Sequence, residues 1–172
     1  MYAKAEIGGL NRLATLTAGD LINGNVAVLS SRLSMHQAAH KFAQLGVGAM
    51  PVVDSAGQCI GILSARDFVT YEIDRVGEQT PPTARSCNQP AKGELLPWNS
   101  VPKFMSTAVQ TTPFNSPVIR VSEIMIAEHI HHVVVLDGET KPIGVISTID
   151  VLSALVAMVD EQKSVQATQG RD

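Results

Sequence analysis

Gly61-Ile62-Leu63-Ser64-Ala65-Arg66-Asp67 and Gly144-Val145-Ile146-Ser147-Thr148-Ile149-Asp150 follow one pattern: a glycine, two apolar residues, a serine, and an aspartate three residues on. Each stretch reads as the end of a strand running into a helix. Ser-x-x-Asp ahead of an apolar-periodic run resembles a capping box, in which the two side chains satisfy backbone donors at a helix start. A single occurrence would need no further explanation. The glycine changes the argument, because glycine inside a strand weakens it unless another group approaches the backbone closely. Finding both features twice implies a duplicated chain and a shared reason for the motif.

Working outward, residues 20–73 align with residues 103–156 without a gap. Identities are few: Val26/Val109, Val52/Val135, Asp54/Asp137, Ile60/Ile143, Gly61/Gly144, Ser64/Ser147 and Asp67/Asp150. Most fall where an apolar run meets a turn or a helix start. Each copy reads as strand, helix, strand, strand, helix. In the first, residues 26–29 form a short apolar run, and Met35, Ala38, Phe42 and Leu45 recur at helical spacing. Ser34 is placed to cap that helix and Gly46 to end it in the left-handed conformation. Residues 50–53 and 59–63 are β-rich runs joined by Asp54-Ser55-Ala56-Gly57, a hairpin signal. A second helix follows, carrying Phe68, Val69, Ile73 and Val76. The second copy repeats this with strands at 109–112, 133–136 and 143–146, a helix near 117–128 and another from Ser147 to about Val159.

A unit of this size buries too little surface to be robust alone. The expectation is an α/β (α+β) protein of two pseudo-symmetric β-α-β-β-α repeats packed sheet to sheet, with clefts between the halves. Its divisions are repeat 1 at 17–76, a Pro-containing linker at 77–101, repeat 2 at 102–159 and a flexible tail at 160–172. Pro81, Pro82, Pro90 and Pro97 mark the linker, and Trp98 is read as packing its far end down.

Composition narrows the function. Of 172 residues, 45% are apolar and 17% charged, enough apolar surface to oppose disorder. A formal charge of −3 argues against binding nucleic acid, which needs clustered Lys and Arg. The longest strongly apolar run, 151–159, is interrupted by Ser153 and is too short to cross a bilayer. No secretory signal is read near Met1, and Cys59 and Cys87 make no disulfide framework. These readings point to a cytoplasmic protein without a membrane or nucleic-acid partner.

The repeated motif suits a nucleotide. Glycine admits a ligand, or the partner repeat, to the strand end. A serine hydroxyl and helix-start N–H groups favour phosphate, and an aspartate can accept both hydroxyls of a ribose diol.

On these residues the chain resembles the paired cystathionine β-synthase (CBS) domain module. The motifs are Met50-Pro51-Val52-Val53-Asp54 followed by 61–67, and Val133-Val134-Val135-Leu136-Asp137 followed by 144–150. The resemblance spans about 18–159 and implies stacked repeats, clefts for adenosine-containing ligands, and disc-like homodimers of pairs. It implies a site where Ser64, Arg66 and Asp67 face Gln110, Ile130, His131 and His132. A second site would set Ser147 and Asp150 opposite Ala27, Val47, Gly48 and Ala49. The two are unequal: Arg66 stands where family members often place a phosphate contact, whereas repeat two has Ile149. Repeat two also has Val134 where the family's strand motif has proline.

Other candidates read as structural. His36-Gln37-Ala38-Ala39-His40 has the spacing of a zinc pair but lacks a metalloprotease glutamate, and is read as a solvated face. His131 and His132 alternate to opposite faces of a strand, so with His129 they do not read as a metal site. Cys59 reads as a core residue, and Cys87 has no evident base. No nucleophile elbow, P-loop or dinucleotide fingerprint is present. The expected function is a regulatory sensor of AMP, ADP, ATP or S-adenosylmethionine, acting through its own oligomer or an effector protein. It has no catalytic residue, metal or cofactor beyond the regulatory adenosine ligand. The alternatives are an interaction module with empty clefts, or an enzyme acting on a nucleotide through Asp67 or Asp150.

Overall fold

The computed structural model describes residues 15–22, 25–77 and 97–169, with side chains through 160. Helix α1 (Ala18–Leu21) precedes the first repeat: β1 (Leu29–Ser30), α2 (Met35–Leu45), β2 (Ala49–Val53), β3 (Cys59–Ser64) and α3 (Ala65–Gly77). A 3-10 turn (Val101–Lys103) precedes the second: β4 (Thr111–Pro113), α4 (Val118–Ala127), β5 (His132–Leu136), β6 (Pro142–Ser147) and α5 (Thr148–Gln169). The sheets are ordered β1-β2-β3 and β4-β5-β6, with a parallel first pair and an antiparallel second pair in each. The expected β-α-β-β-α order is present twice. The linker at 78–96, with Pro81, Pro82, Cys87 and Pro90, lies outside the described residues.

Local chemistry explains the element ends. Ser34 caps α2, its Oγ accepting from the Gln37 N–H while Gln37 Oε1 accepts from the Ser34 N–H. Gly46 closes α2 at φ 63°, in the left-handed region open to glycine at little cost. The equivalent position in repeat two is His129, held at φ 52°. Each β-hairpin is built on an aspartate: Asp54 Oδ1 accepts from the N–H groups of Ala56 and Gln58, and Asp137 Oδ1 from those of Glu139 and Lys141. That bond pattern accounts for the Asp54/Asp137 identity. The left-handed turn residue is Gly57 in one hairpin and Thr140, at φ 61°, in the other.

The compact units do not coincide with the sequence repeats. One unit joins the described residues up to Val26 to those from Gln110 onward; the other is Ala27–Val109. Each sheet therefore receives its lead-in segment from the stretch preceding the other repeat. Two backbone bonds of the exchange are matched in the two repeats. Ala18 N–H donates to Ser116 O, as Val101 N–H does to Leu33 O. Val118 N–H donates to Leu16 O, as Met35 N–H does to Asn99 O, so each lead-in satisfies the first free donor of a helix. Thr17 bridges Pro117, and Ser100 bridges Ser34. Ala18 and Val101 are fully buried in the two cores.

The strand glycines are explained by the same exchange. A Cβ on Gly61 would fall on the Met105 thioether; one on Gly144 would fall on Ile22 Cγ2 and lie 2.8 Å from Ile22 Cβ. The sequence left open whether a ligand or the partner repeat approaches these glycines. It is the lead-in of the partner repeat. One core gathers Leu29, Met35, Phe42, Met50, Val52, Leu63 and Val101, and the other Ala18, Val121, Met125, Val133, Val135 and Ile146.

Three boundaries differ from the sequence reading by two residues or more. Strands β1 and β4 begin at Leu29 and Thr111, three and two residues late, because their ladder partners are Val52–Val53 and Val134–Leu136. Helix α5 continues to Gln169 rather than ending near Val159. Residues 161–169 contain no glycine or proline to stop it, so most of the segment read as a tail is helical.

The two glycines make a discriminating test. Alanine at 144 meets a β-branched side chain that is stiff at χ1, whereas alanine at 61 meets a flexible thioether. Gly144→Ala is expected to cost about 1–3 kcal/mol, the range for overpacking, and Gly61→Ala less, in urea denaturation. Equal losses would show that stiffness of the covering side chain does not set the cost.

Candidate functional site

Strand β3 delivers Ser64 to the start of α3, and β6 delivers Ser147 to the start of α5. Asp67 sits one turn in. Its Oδ2 accepts from the Ser64 N–H at 2.6 Å and from Ser64 Oγ at 2.9 Å. Asp150 Oδ2 repeats this with Ser147, at 2.7 Å from the N–H and 2.6 Å from Oγ. Asp150 N–H also donates back to Ser147 Oγ at 3.2 Å, completing the reciprocal cap. All four residues are half-buried. In both carboxylates the cap engages Oδ2 alone; Oδ1 has no hydrogen-bond partner among the described residues. The capping reading is thus correct, and it leaves one oxygen of each aspartate available.

The helix starts are less open to an anion than the sequence implied. The first helical N–H of α3, on Ala65, donates to Gly48 O at 3.0 Å, and that of α5, on Thr148, to His131 O at 3.1 Å. These acceptors were not legible, because nothing in a sequence marks which carbonyl a folded strand will present. Arg66 is exposed and forms no ion pair among the described residues. Ile149, its counterpart, is exposed as well.

Within each unit, the motif lies beside the preceding strand of its own sheet. Ala49 pairs with Ser64, next to exposed Val47 and Gly48, and His132 pairs with Ser147, next to exposed His131. Ala27 is half-buried against the first core and Ile130 against the second, and Gln110 O accepts from the Val134 N–H. The structure therefore groups Ser64, Arg66 and Asp67 with Val47, Gly48 and Ala49. It groups Ser147 and Asp150 with Gln110, Ile130, His131 and His132.

A family profile described as CBS domain matches residues 18–74 and again 101–157. The chain belongs to the CBS domain family. Its fold is similar to that of a CBS domain pair from protein MJ0100 in complex with 5′-methylthioadenosine and S-adenosyl-L-methionine, at TM-score 0.68 and 17% identity, covering 83% of this chain and 98% of that one. It is similar to CBSX2 in complex with AMP, at TM-score 0.63 and 17% identity over 83% and 97% of the two chains. A CBS-domain protein from Agrobacterium tumefaciens is 26% identical, at TM-score 0.61, over 80% of this chain and 97% of that one. No curated protein sequence matches the chain. The CBS repeats begin at Ala18 and Val101, the two buried lead-in residues, so the family unit in sequence is the repeat and not the compact unit.

The remaining sequence candidates fall into place around this frame. Trp98 stacks on Tyr71 with ring centroids 6.1 Å apart while staying half-exposed. Cys59 is half-buried, and burial raises its thiol pKa, which opposes reactivity. No cluster of three or more metal-ligating side chains occurs among the described residues. None of the described helices is long and apolar enough to cross a membrane. Met105 and Ile22 were missed as partners of the motif glycines. Their signal was available: they occupy equivalent positions, large and apolar, in the two lead-ins.

His132 gives this region a pH response. Burial lowers its pKa, His131 adds to the effect, and Asp150 opposes it. The unfolded chain therefore takes up the proton first, and stability is present above the ordinary value of 6.5 and lost as pH falls below it. Thermal melts between pH 7.5 and 5.5 are expected to show a fall that His132→Gln reduces. An unchanged pH dependence in that variant would assign the fall to other groups.

Proposed function

We propose that this CBS pair is a non-catalytic regulatory module that binds adenosine-containing ligands through Ser64, Arg66 and Asp67 in one site and Ser147 and Asp150 in the other. The observation that carries this reading is the divided carboxylate. One oxygen of each aspartate holds the helix cap and the other has no partner among the described residues, as a ribose hydroxyl would require. The family match supports it, as do similar folds solved with AMP and with S-adenosylmethionine. Arg66 fits a phosphate, whereas Ile149 fits a less anionic ligand such as S-adenosylmethionine. His131, His132, Gln110 and Ile130 as further contacts to the first ligand, and Ala27, Val47, Gly48 and Ala49 to the second, belong to the same proposal. Ligand occupancy acts on an effector, or on the oligomer, only by favouring one arrangement over another.

Asparagine separates the two duties of the aspartates. Asp67→Asn keeps one oxygen to accept from Ser64 and loses the second acceptor. It is expected to leave the melting temperature nearly unchanged while weakening AMP binding at least tenfold in calorimetric titration. Asp150→Asn is expected to do the same for S-adenosylmethionine. Arg66→Ala is expected to weaken AMP more than adenosine. Unchanged affinity in both Asn variants would overturn the reading.

We also infer that the chain forms a homodimer. Supporting it, Val69, Ile73 and Val76 on α3 and their equivalents Leu152, Val156 and Val159 on α5 form matched exposed apolar stripes at helical spacing. A patch used by both copies of a symmetric pair has this character. Light scattering is expected to give a dimer, and Ile73→Asp with Val156→Asp a monomer. A wild-type monomer at every accessible concentration would overturn the assignment.

A further inference from the structure

We propose that His36 and His40 on α2 form a chelate site for a borderline transition cation of the zinc, copper or nickel class. The two residues are one helical turn apart, on the face opposite the buried Met35, Ala38 and Phe42. Both are exposed, and their Nε2 atoms lie 3.2 Å apart with the rings edge to face at 4.7 Å. Neither imidazole has another hydrogen-bond or ion-pair partner among the described residues.

The separation has a definite meaning in coordination chemistry. Imidazole nitrogens bind zinc at about 2.0–2.1 Å. Two such nitrogens 3.2 Å apart subtend about 100° at the metal, between the right angle of square-planar or octahedral sites and the tetrahedral angle. The helix thus holds both donors at a chelating distance. In the absence of a cation the same contact is a hydrogen bond in which one neutral ring donates N–H to the other. When the metal binds, that proton moves to Nδ1 of the same ring by tautomer exchange through solvent, since each Nε2 must offer a lone pair. Imidazole selects borderline cations over magnesium or calcium, which prefer oxygen. The other coordination positions fall to water, because no third metal-ligating side chain joins the pair among the described residues. The site lies on a different helix from either Ser-x-x-Asp motif and does not depend on nucleotide binding.

The test titrates Cu²⁺, Zn²⁺ and Mg²⁺ into the full chain, free of any added histidine tag, by calorimetry and by copper electron paramagnetic resonance. Cu²⁺ and Zn²⁺ are expected to bind one per chain, reversibly to a chelator, with a nitrogen-coordinated copper spectrum and no Mg²⁺ binding. His36→Gln and His40→Gln, both at exposed positions that leave the helix core untouched, are each expected to lose at least tenfold in affinity. His129→Gly, which removes a separate histidine, is expected to bind as the wild type does. The proposal is overturned if no binding is seen, if the double variant His36→Gln/His40→Gln binds with unchanged affinity, or if the loss follows His129.

Discussion

A lead-in segment packs without displacing its own side chains against the third strand of each sheet where that strand carries a residue without a Cβ at the point of contact. Gly61 beneath Met105 and Gly144 beneath Ile22 meet that condition. The rest of the arrangement follows from it. Once the segment is seated, its carbonyls accept from Met35 and Val118, its buried Ala18 or Val101 completes a core, and the helix after the first strand is fixed at its N-terminus. Because each lead-in precedes one repeat and seats on the other, neither repeat is a complete folding unit on its own stretch of sequence.

The strand glycine and the Ser-x-x-Asp cap lie in one motif but meet different demands. Glycine serves the fold. The cap serves the helix start and still leaves one carboxylate oxygen without a partner among the described residues, so a structural device and a candidate ribose contact coexist in one side chain. This is why substitution by alanine would confuse the two roles and asparagine would not. The helix N-terminus contributes less than a bare helix would, since its first N–H is already held by Gly48 or His131. An anion there would depend more on Arg66, and repeat two offers Ile149 instead.

Duplication preserved geometry where bonding required it and let chemistry drift elsewhere. Val52 and Val135 are fully buried, Asp54 and Asp137 hold the hairpins, and Ser64, Asp67, Ser147 and Asp150 hold the caps. The left-handed positions were kept as conformations but not as residues. Gly46 and Gly57 in repeat one correspond to His129 and Thr140 in repeat two. A Cβ costs about 1–2 kcal/mol in that region, a strain that repeat one does not carry.

The sequence alone determined the duplication, the element order, the hairpins, the caps and the family, because these rest on local bonds and on periodicity that survive in a one-dimensional string. Ser34, Gly46, Asp54 and the two Ser-x-x-Asp motifs were legible for that reason. The end of α5 was not legible, because the polar residues after Val159 include no glycine or proline to stop the helix before Gln169. Only the tertiary structure decided what covers each strand glycine, since Met105 and Ile22 reach Gly61 and Gly144 from 44 and 122 residues away along the chain (105 − 61 and 144 − 22). It likewise decided which carbonyls occupy the helix starts and which carboxylate oxygen holds each cap. Local pattern fixes which groups a residue offers; the partner that takes them up is set by packing between distant segments, and no spacing rule records it.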